Sequence, residues 1–197
     1  MSSESIPETT IAILLAAGAG SRFLGPVHKL LTPLPGEDNR TIFETSLDVV
    51  LNAGFQQVVV VSGAADIPAP MVRDPRVVLV HNHRWGEGQA HSVNVGIAEA
   101  KRLGATAVVV GLADQPFVEP EAWRLVAASE SPIAVATYRG RRGNPVRLAD
   151  STWPLLPTTG DTGARDLMTL RPELVSQVDC PGSAADIDTE EDLAQWT

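Results

Sequence analysis

Cysteine is almost missing: Cys180 is the one thiol in 197 residues. That excludes an internal disulfide and a multi-cysteine metal site, and it fits a reducing compartment. Long apolar runs are missing too; none approaches the roughly 20 residues that cross a bilayer. The first ten residues, MSSESIPETT, are polar and acidic rather than basic then apolar, so they do not read as a signal peptide. A cytoplasmic protein with a flexible tail over residues 1–10 is expected. Positive charge is scarce, with 15 Lys and Arg against 24 Asp and Glu and a formal net charge of −9. A nucleic-acid backbone or an anionic membrane surface would be repelled, whereas a small anionic ligand needs only a local positive pocket. No repeat, low-complexity block or linker divides the chain, so residues 11–197 are expected to form one domain.

Two phosphate-binding fingerprints are absent as well. GAGSRF lacks the third glycine of GxGxxG, and no lysine follows the last glycine as a Walker loop requires. His81, His83 and His91 belong to no HExxH helix, so hydrogen bonding is the preferred reading over zinc.

What is present is a regular alternation of apolar runs and amphipathic segments. Ile11–Ala16, the valines of QQVVVVSG, VVLVHN over residues 77–82, TAVVVGLADQP and PIAVATYRG read as strands. Between them, TIFETSLDVVLNAG carries Ile42, Phe43, Leu47, Val50 and Leu51 at helical spacing. QAHSVNVGIAEAKRLG places Val93, Ile97 and Ala100 on one stripe and ends in Lys101, Arg102 and Gly104. Residues 120–129 form a further helix with Pro120 in its first turn. Strand and helix in turn give a three-layer α/β fold with a mainly parallel, mixed sheet, in which ligands sit at the carboxyl ends of strands.

The first strand ends in Ala17-Gly18-Ala19-Gly20-Ser21, small residues that let backbone amides wrap anionic oxygens, and Arg22 and Lys29 follow. A loop of bare amides with two cations suits a triphosphate; a plain glycine-rich turn is the alternative. The second strand ends in Ser62-Gly63 and the third in HNHRWGEGQAHS. The fourth ends in Ala113-Asp114-Gln115-Pro116, where Asp114 is placed either to hold a hard divalent ion or to organise its own turn. Asp186 and Asp188 flank Ile187 and lie on one face if extended, so they can join Asp114 around a magnesium ion. Spacing from Asp188 to Glu191 also resembles a capping box before the last helix. Arg139, Arg141, Arg142 and Arg147 form a basic run about Gly143-Asn144-Pro145, expected as a turn. The run is either a solvated hairpin or a receiver for an acceptor phosphate.

Taken together, LLAAGAGSR with its following lysine, GEGQAHSVNVGI, GLADQPFV, RGNPVRL, GDTGARDL and DIDTEEDL resemble, in order and spacing, the molybdenum cofactor cytidylyltransferases of the MobA-like nucleotidyltransferases. The resemblance implies a Rossmann-like nucleotide-diphospho-sugar transferase fold and transfer of CMP from CTP to the terminal phosphate of molybdopterin, with release of pyrophosphate. It implies Arg22, Lys29 and Asp114 as catalytic residues. The nucleotide would be bound by Leu15, Ala16, Ala17, Gly18, Ala19, Gly20, Ser21, Arg22, Lys29, Ser62, Gly88 and Ser92. The acceptor would be bound by Arg142, Asn144, Pro145, Arg147, Gly160 and Asp161, and Mg2+ by Asp114, Asp186 and Asp188. Ala17, where guanylyltransferase relatives often carry glycine, favours cytidine by resemblance. A molybdoenzyme or its chaperone is implied as a transient partner. Arg22-Phe23-Leu24-Gly25 in place of the family's Arg-Met-Gly, and a segment one residue longer before Lys29, depart from the pattern. Another nucleotide, another small phosphate acceptor, a non-catalytic cofactor-delivery module and a purely structural α/β domain stay as alternatives.

Overall fold

The computed structural model describes residues 6–36 and 38–195. Seven strands form one sheet in the order β3-β2-β1-β4-β6-β5-β7: β1 Thr10–Ala16, β2 Val58–Ser62, β3 Val77–His81, β4 Ala107–Leu112, β5 Ile133–Tyr138, β6 Arg141–Ala149 and β7 Val175–Asp179. β3, β2, β1 and β4 are mutually parallel; β6 runs antiparallel to β4 and β5, and β7 is parallel to β5. This is the mixed, mainly parallel sheet the alternation predicts. Of the expected tail, residues 1–5 lie outside the described residues, Ile6 packs on the core and Thr10 opens β1.

Helices cover both faces because the strands alternate their side chains. Ala12, Leu14 and Ala16 of β1 face α1 (Ile42–Ala53) and α3 (Pro120–Ala127), packing with Phe43, Leu47, Trp123 and Val126. Ile11, Ile13 and Leu15 face α2 (Gln89–Arg102) and α4 (Arg165–Leu170), packing with Val93, Ile97 and Leu167. α1 starts at a capping box, Thr41 with Glu44, and stops at Gly54 in the left-handed conformation. α3 opens with Pro120 in its first turn, and α2 ends in Lys101 and Arg102.

β6 is a strand the sequence reading placed as a turn. The turn is Arg139-Gly140, both at positive φ, which is the backbone a two-residue hairpin needs. Val146 pairs with Val135, yet Gly143 pairs with the next residue, Ala136, so Asn144 and Pro145 bulge out of the ladder. A bulge is the place where an interior strand tolerates proline. β6 accompanies β4 only as far as Val110 opposite Val146 and then leaves it, opening space beside the end of β4. The last helix, α5 (Glu190–Ala194), is capped one residue later than the spacing suggests. Thr189 accepts from the Asp192 amide and Asp192 reaches back, so Asp188 is not the cap. Its carboxylate is left free for other work.

Candidate active site

The chain leaves β1 for β2 on one side, and β3 returns to β4 on the other, so the strand order reverses between β1 and β4. Ligand crevices of open α/β sheets form at that reversal, and a cavity of about 440 Å³ lies there. Leu15, Ala16, Ala17, Gly18, Ala19, Gly20, Ser21 and Arg22 line one side, with Lys29, Leu112, Asp114 and Asp188 beneath them. Gly88 and Ser92, at the start of α2, line the other side with Trp85, Gln89 and Asp161.

Lys29 ties the floor together. It is only 7% exposed, and its Nζ donates to Asp114 Oδ2 at 2.6 Å and to Asp188 Oδ1 at 2.9 Å. Burial pulls its pKa down, but the charges and hydrogen bonds of the two carboxylates outweigh that and hold the ammonium above the ordinary lysine value. Arg22, largely exposed, reaches the other oxygen of Asp188 at 2.8 Å. Asp114 is positioned by its main chain, whose carbonyl accepts from Ile187 N at 3.0 Å. That bond draws the C-terminal acidic segment to the end of β4, and the fully buried Ile187 anchors it. His28, which no sequence signal singled out, closes the loop by a 3.0 Å bond from its Nε2 to Gly18 O.

Asp186 is not part of this floor. Its carboxylate accepts from Gln115 Nε2 at 2.6 Å; partial burial of the carboxyl, together with the charge of Asp114, pushes its pKa up. The expected set of three carboxylates is therefore not assembled, and among the described residues no group of three or more His, Cys, Asp and Glu is arranged to hold a metal. Asp114 and Asp188 nevertheless present hard oxygen donors to one shared cation, the Lys29 ammonium. Two carboxylates completed by phosphate oxygens and water match the needs of Mg2+ or Mn2+.

Other expected residues fall elsewhere. Ser62 is buried against β3, bonded to Val80 O and His81 Nδ1, and does not line the cavity. Arg147 lies between Val146 and Leu148, which face α2, so its side chain points to the opposite face and donates to Ser131 O at 2.6 Å. Pro145 also faces away, toward Leu14, Ser46 and Trp123. Asn144 does line a smaller cavity together with Arg142, and it donates to Gln115 Oε1 at 3.1 Å, extending the chain of amides that ends on Asp186. Gly160 is a strut: its amide donates to Glu87 O and its carbonyl accepts from Ala90 N. Gly88, at φ 102°, packs so closely on it that a Cβ there would lie 2.5 Å from the Gly160 carbonyl. Asp161 sits in the large cavity rather than with Arg142. Cys180 is half-buried, and burial pushes its thiol up to about 11, which removes it from nucleophilic chemistry.

Trp85 was within the polar stretch at the end of the third strand but was not singled out. It is 39% exposed at the cavity wall, and Gly63 lets it close on the loop, since a Cβ there would come within 2.7 Å of both Trp85 Cβ and Ala17 O. A second cavity of about 150 Å³ adjoins the first, sharing Gln89 and Leu112, and holds Arg142 at its edge.

The architecture is that of nucleotidyltransferase folds. A solved structure of Rv0371c from Mycobacterium tuberculosis H37Rv is similar over 94% of this chain and 96% of its own, with a TM-score of 0.77 and 27% identity. A complex of Rv0371C with manganese matches over 95% of this chain and 97% of its own, with a TM-score of 0.68 and 23% identity. Residues 12–178 match the MobA-like NTP transferase domain, and the chain belongs to that family. A nicotine blue oxidoreductase of Paenarthrobacter nicotinovorans is 33% identical, covering 92% of this chain and 93% of the relative. The purine catabolism protein PucB of Bacillus subtilis is 31% identical, with the same two coverages. Among the described residues no helix is long and apolar enough to cross a membrane.

Proposed function

We propose that this protein transfers a nucleotidyl group from a nucleoside triphosphate to a small phosphorylated acceptor. One observation carries the reading: a loop of main-chain amides lines a single cavity with Arg22, Lys29, Asp114 and Asp188, the two cations being paired directly to the two carboxylates. The amides of residues 17–21, Arg22 and Lys29 receive the triphosphate. Trp85 offers its ring to the base, while Gly88 and Ser92 at the open end of α2 stand beside the nucleoside. An acceptor phosphate oxygen, already ionised near neutral pH, attacks the α-phosphorus in line. The new P–O bond forms as the bond to the β-phosphate bridging oxygen breaks, and that electron pair leaves with pyrophosphate. Arg22 and Lys29 offset the charge that builds on the leaving group. Magnesium, or another hard divalent ion held by Asp114 and Asp188, would neutralise phosphate charge there when bound; the manganese complex of the mycobacterial neighbour supports a family use of such ions.

CTP and a molybdopterin-type phosphate are the first pair to test, on the strength of Ala17 and of the motif order. The names of the two relatives support keeping the acceptor open, since one names an oxidoreductase and the other only purine catabolism. Oxidoreduction, the activity in the name of the 33% identical relative, is the second reading, with a reduced dinucleotide as its trial electron donor. Pyrophosphate release from CTP, GTP and ATP, with magnesium and with or without acceptor, tests the main reading. Acceptor-dependent release with one nucleotide is expected. Absence of release with all three, together with oxidation of a reduced dinucleotide, moves the assignment to the oxidoreductase.

A further inference from the structure

The floor of the large cavity is electrically closed on itself. Asp114 and Asp188 bring two negative charges, and Lys29 and Arg22 two positive ones. Three of the four carboxylate oxygens already face a cation: Asp114 Oδ2 and Asp188 Oδ1 accept from Lys29 Nζ, and Asp188 Oδ2 pairs with Arg22. Asp186 is bonded to Gln115 instead. A divalent ion arriving alone would have to take its oxygens from the Lys29 ammonium, which holds them at 2.6 and 2.9 Å. It would gain carboxylates whose charge is already balanced, and it would lie beside a like charge whose side chain is only 8% exposed. The lysine stem packs on the glycine loop: a Cβ built at Gly20 would lie 3.2 Å from Lys29 Cγ. One side chain thus touches the loop with its stem and both carboxylates with its tip, and all of them line one cavity. Phosphate oxygens seated on the loop amides would offer Lys29 and Arg22 a second anionic partner. As either cation turns to them, carboxylate oxygen is released, and the phosphates add oxygens of their own to the octahedral set that Mg2+ demands.

We infer that Lys29, helped by Arg22, bars free divalent ions from Asp114 and Asp188, so that an ion is held there tightly only in company with a triphosphate. The ligand of the site is the metal-triphosphate chelate, rather than metal first and nucleotide afterwards. This rests on the reading of the two carboxylates as metal-binding and of the loop as triphosphate-binding, but it is tested by binding alone.

Equilibrium dialysis against Mn2+ measures it, in enough salt that the net charge of −9 retains no ions by itself. The parent is expected to hold Mn2+ weakly. Tripolyphosphate, which carries neither base nor sugar, is expected to raise the excess of Mn2+ on the protein side. Without tripolyphosphate, Lys29→Met is expected to bind Mn2+ about tenfold or more tightly than the parent, although its turnover falls. Arg22→Gln, at an exposed and water-screened pair, is expected to tighten Mn2+ binding by about twofold to threefold. Adding Asp114→Asn to Lys29→Met is expected to restore weak binding. Equal Mn2+ affinity of the parent and a folded Lys29→Met overturns the inference, as does a tightening that survives the added Asp114→Asn or a loss of retained Mn2+ when tripolyphosphate is added. Should Lys29→Met not fold, Arg22→Gln decides, and an unchanged Mn2+ affinity there overturns the inference. Failure of every nucleotide to release pyrophosphate removes the transfer reaction, while the barrier to free metal is judged on these affinities.

Discussion

Replacing Asp114 with asparagine is expected to lower turnover by about 100-fold or more while the protein stays folded. The substitution keeps the shape of the side chain and does not touch the main-chain carbonyl that receives Ile187 N, so the acidic segment remains docked at the end of β4. Lys29 keeps Asp188 as a charged partner at 2.9 Å. What is lost is one negative charge at the foot of the large cavity, where the proposed metal and the leaving pyrophosphate would meet. Steady-state pyrophosphate release beside a melting curve checks both halves. Near-normal turnover would remove Asp114 from the mechanism, and a collapse in melting temperature would make it a folding residue.

Lys29→Met is expected to be damaging twice over. Loss of the ammonium leaves Asp114 and Asp188 facing each other without their shared cation. Breaking a fully buried pair costs about 3–5 kcal/mol; both carboxylates here keep some contact with water, so about 1–3 kcal/mol is expected. In a chain of this size each kcal/mol moves the melting temperature by about 2–4 °C. The folded state holds the Lys29 proton more tightly than the unfolded chain does. Its contribution is therefore complete at neutral pH and is lost as pH rises past the lysine range. The melting difference between Lys29→Met and the parent should accordingly be clear at pH 7 and close in strongly alkaline solution. Pyrophosphate release should fall with it, by about 100-fold. A variant that melts and turns over like the parent would show that Lys29 is neither clamp nor phosphate ligand.

Much of the scaffold could be read from residue patterns because its strands are buried on both faces. Four consecutive valines, Val58–Val61, have no use outside such a strand, and the rule that ligands gather at carboxyl ends of strands led to Asp114 and the glycine loop. β6 was hidden for a physical reason: its glycine, proline and two leading arginines break alternation, and the bulge that accommodates them is visible only against its neighbours. β7, VSQVD, is an edge strand too polar and short to announce itself. Arg147 could have been excluded, since its flanking Val146 and Leu148 fix one face of a strand and therefore send it to the other. The capping of α5 turned on one residue, Thr189 in place of Asp188, a difference below the resolution of spacing alone. The Lys29 clamp joins groups 85 and 159 positions apart, and no local pattern encodes such a meeting. Trp85 lay in a stretch already marked as a strand end, and its aromatic ring was the available signal.

The Lys29 clamp also bears on how the protein can be handled. Domains whose ligating carboxylates or thiolates have no internal counter-charge come apart when a chelator removes their metal. Here the two carboxylates carry their own cation in covalent attachment to the chain, so the ligand-free floor is held together without divalent ions. Melting in EDTA should match melting in plain buffer, and any activity lost to the chelator should return on adding back magnesium, with no refolding step between.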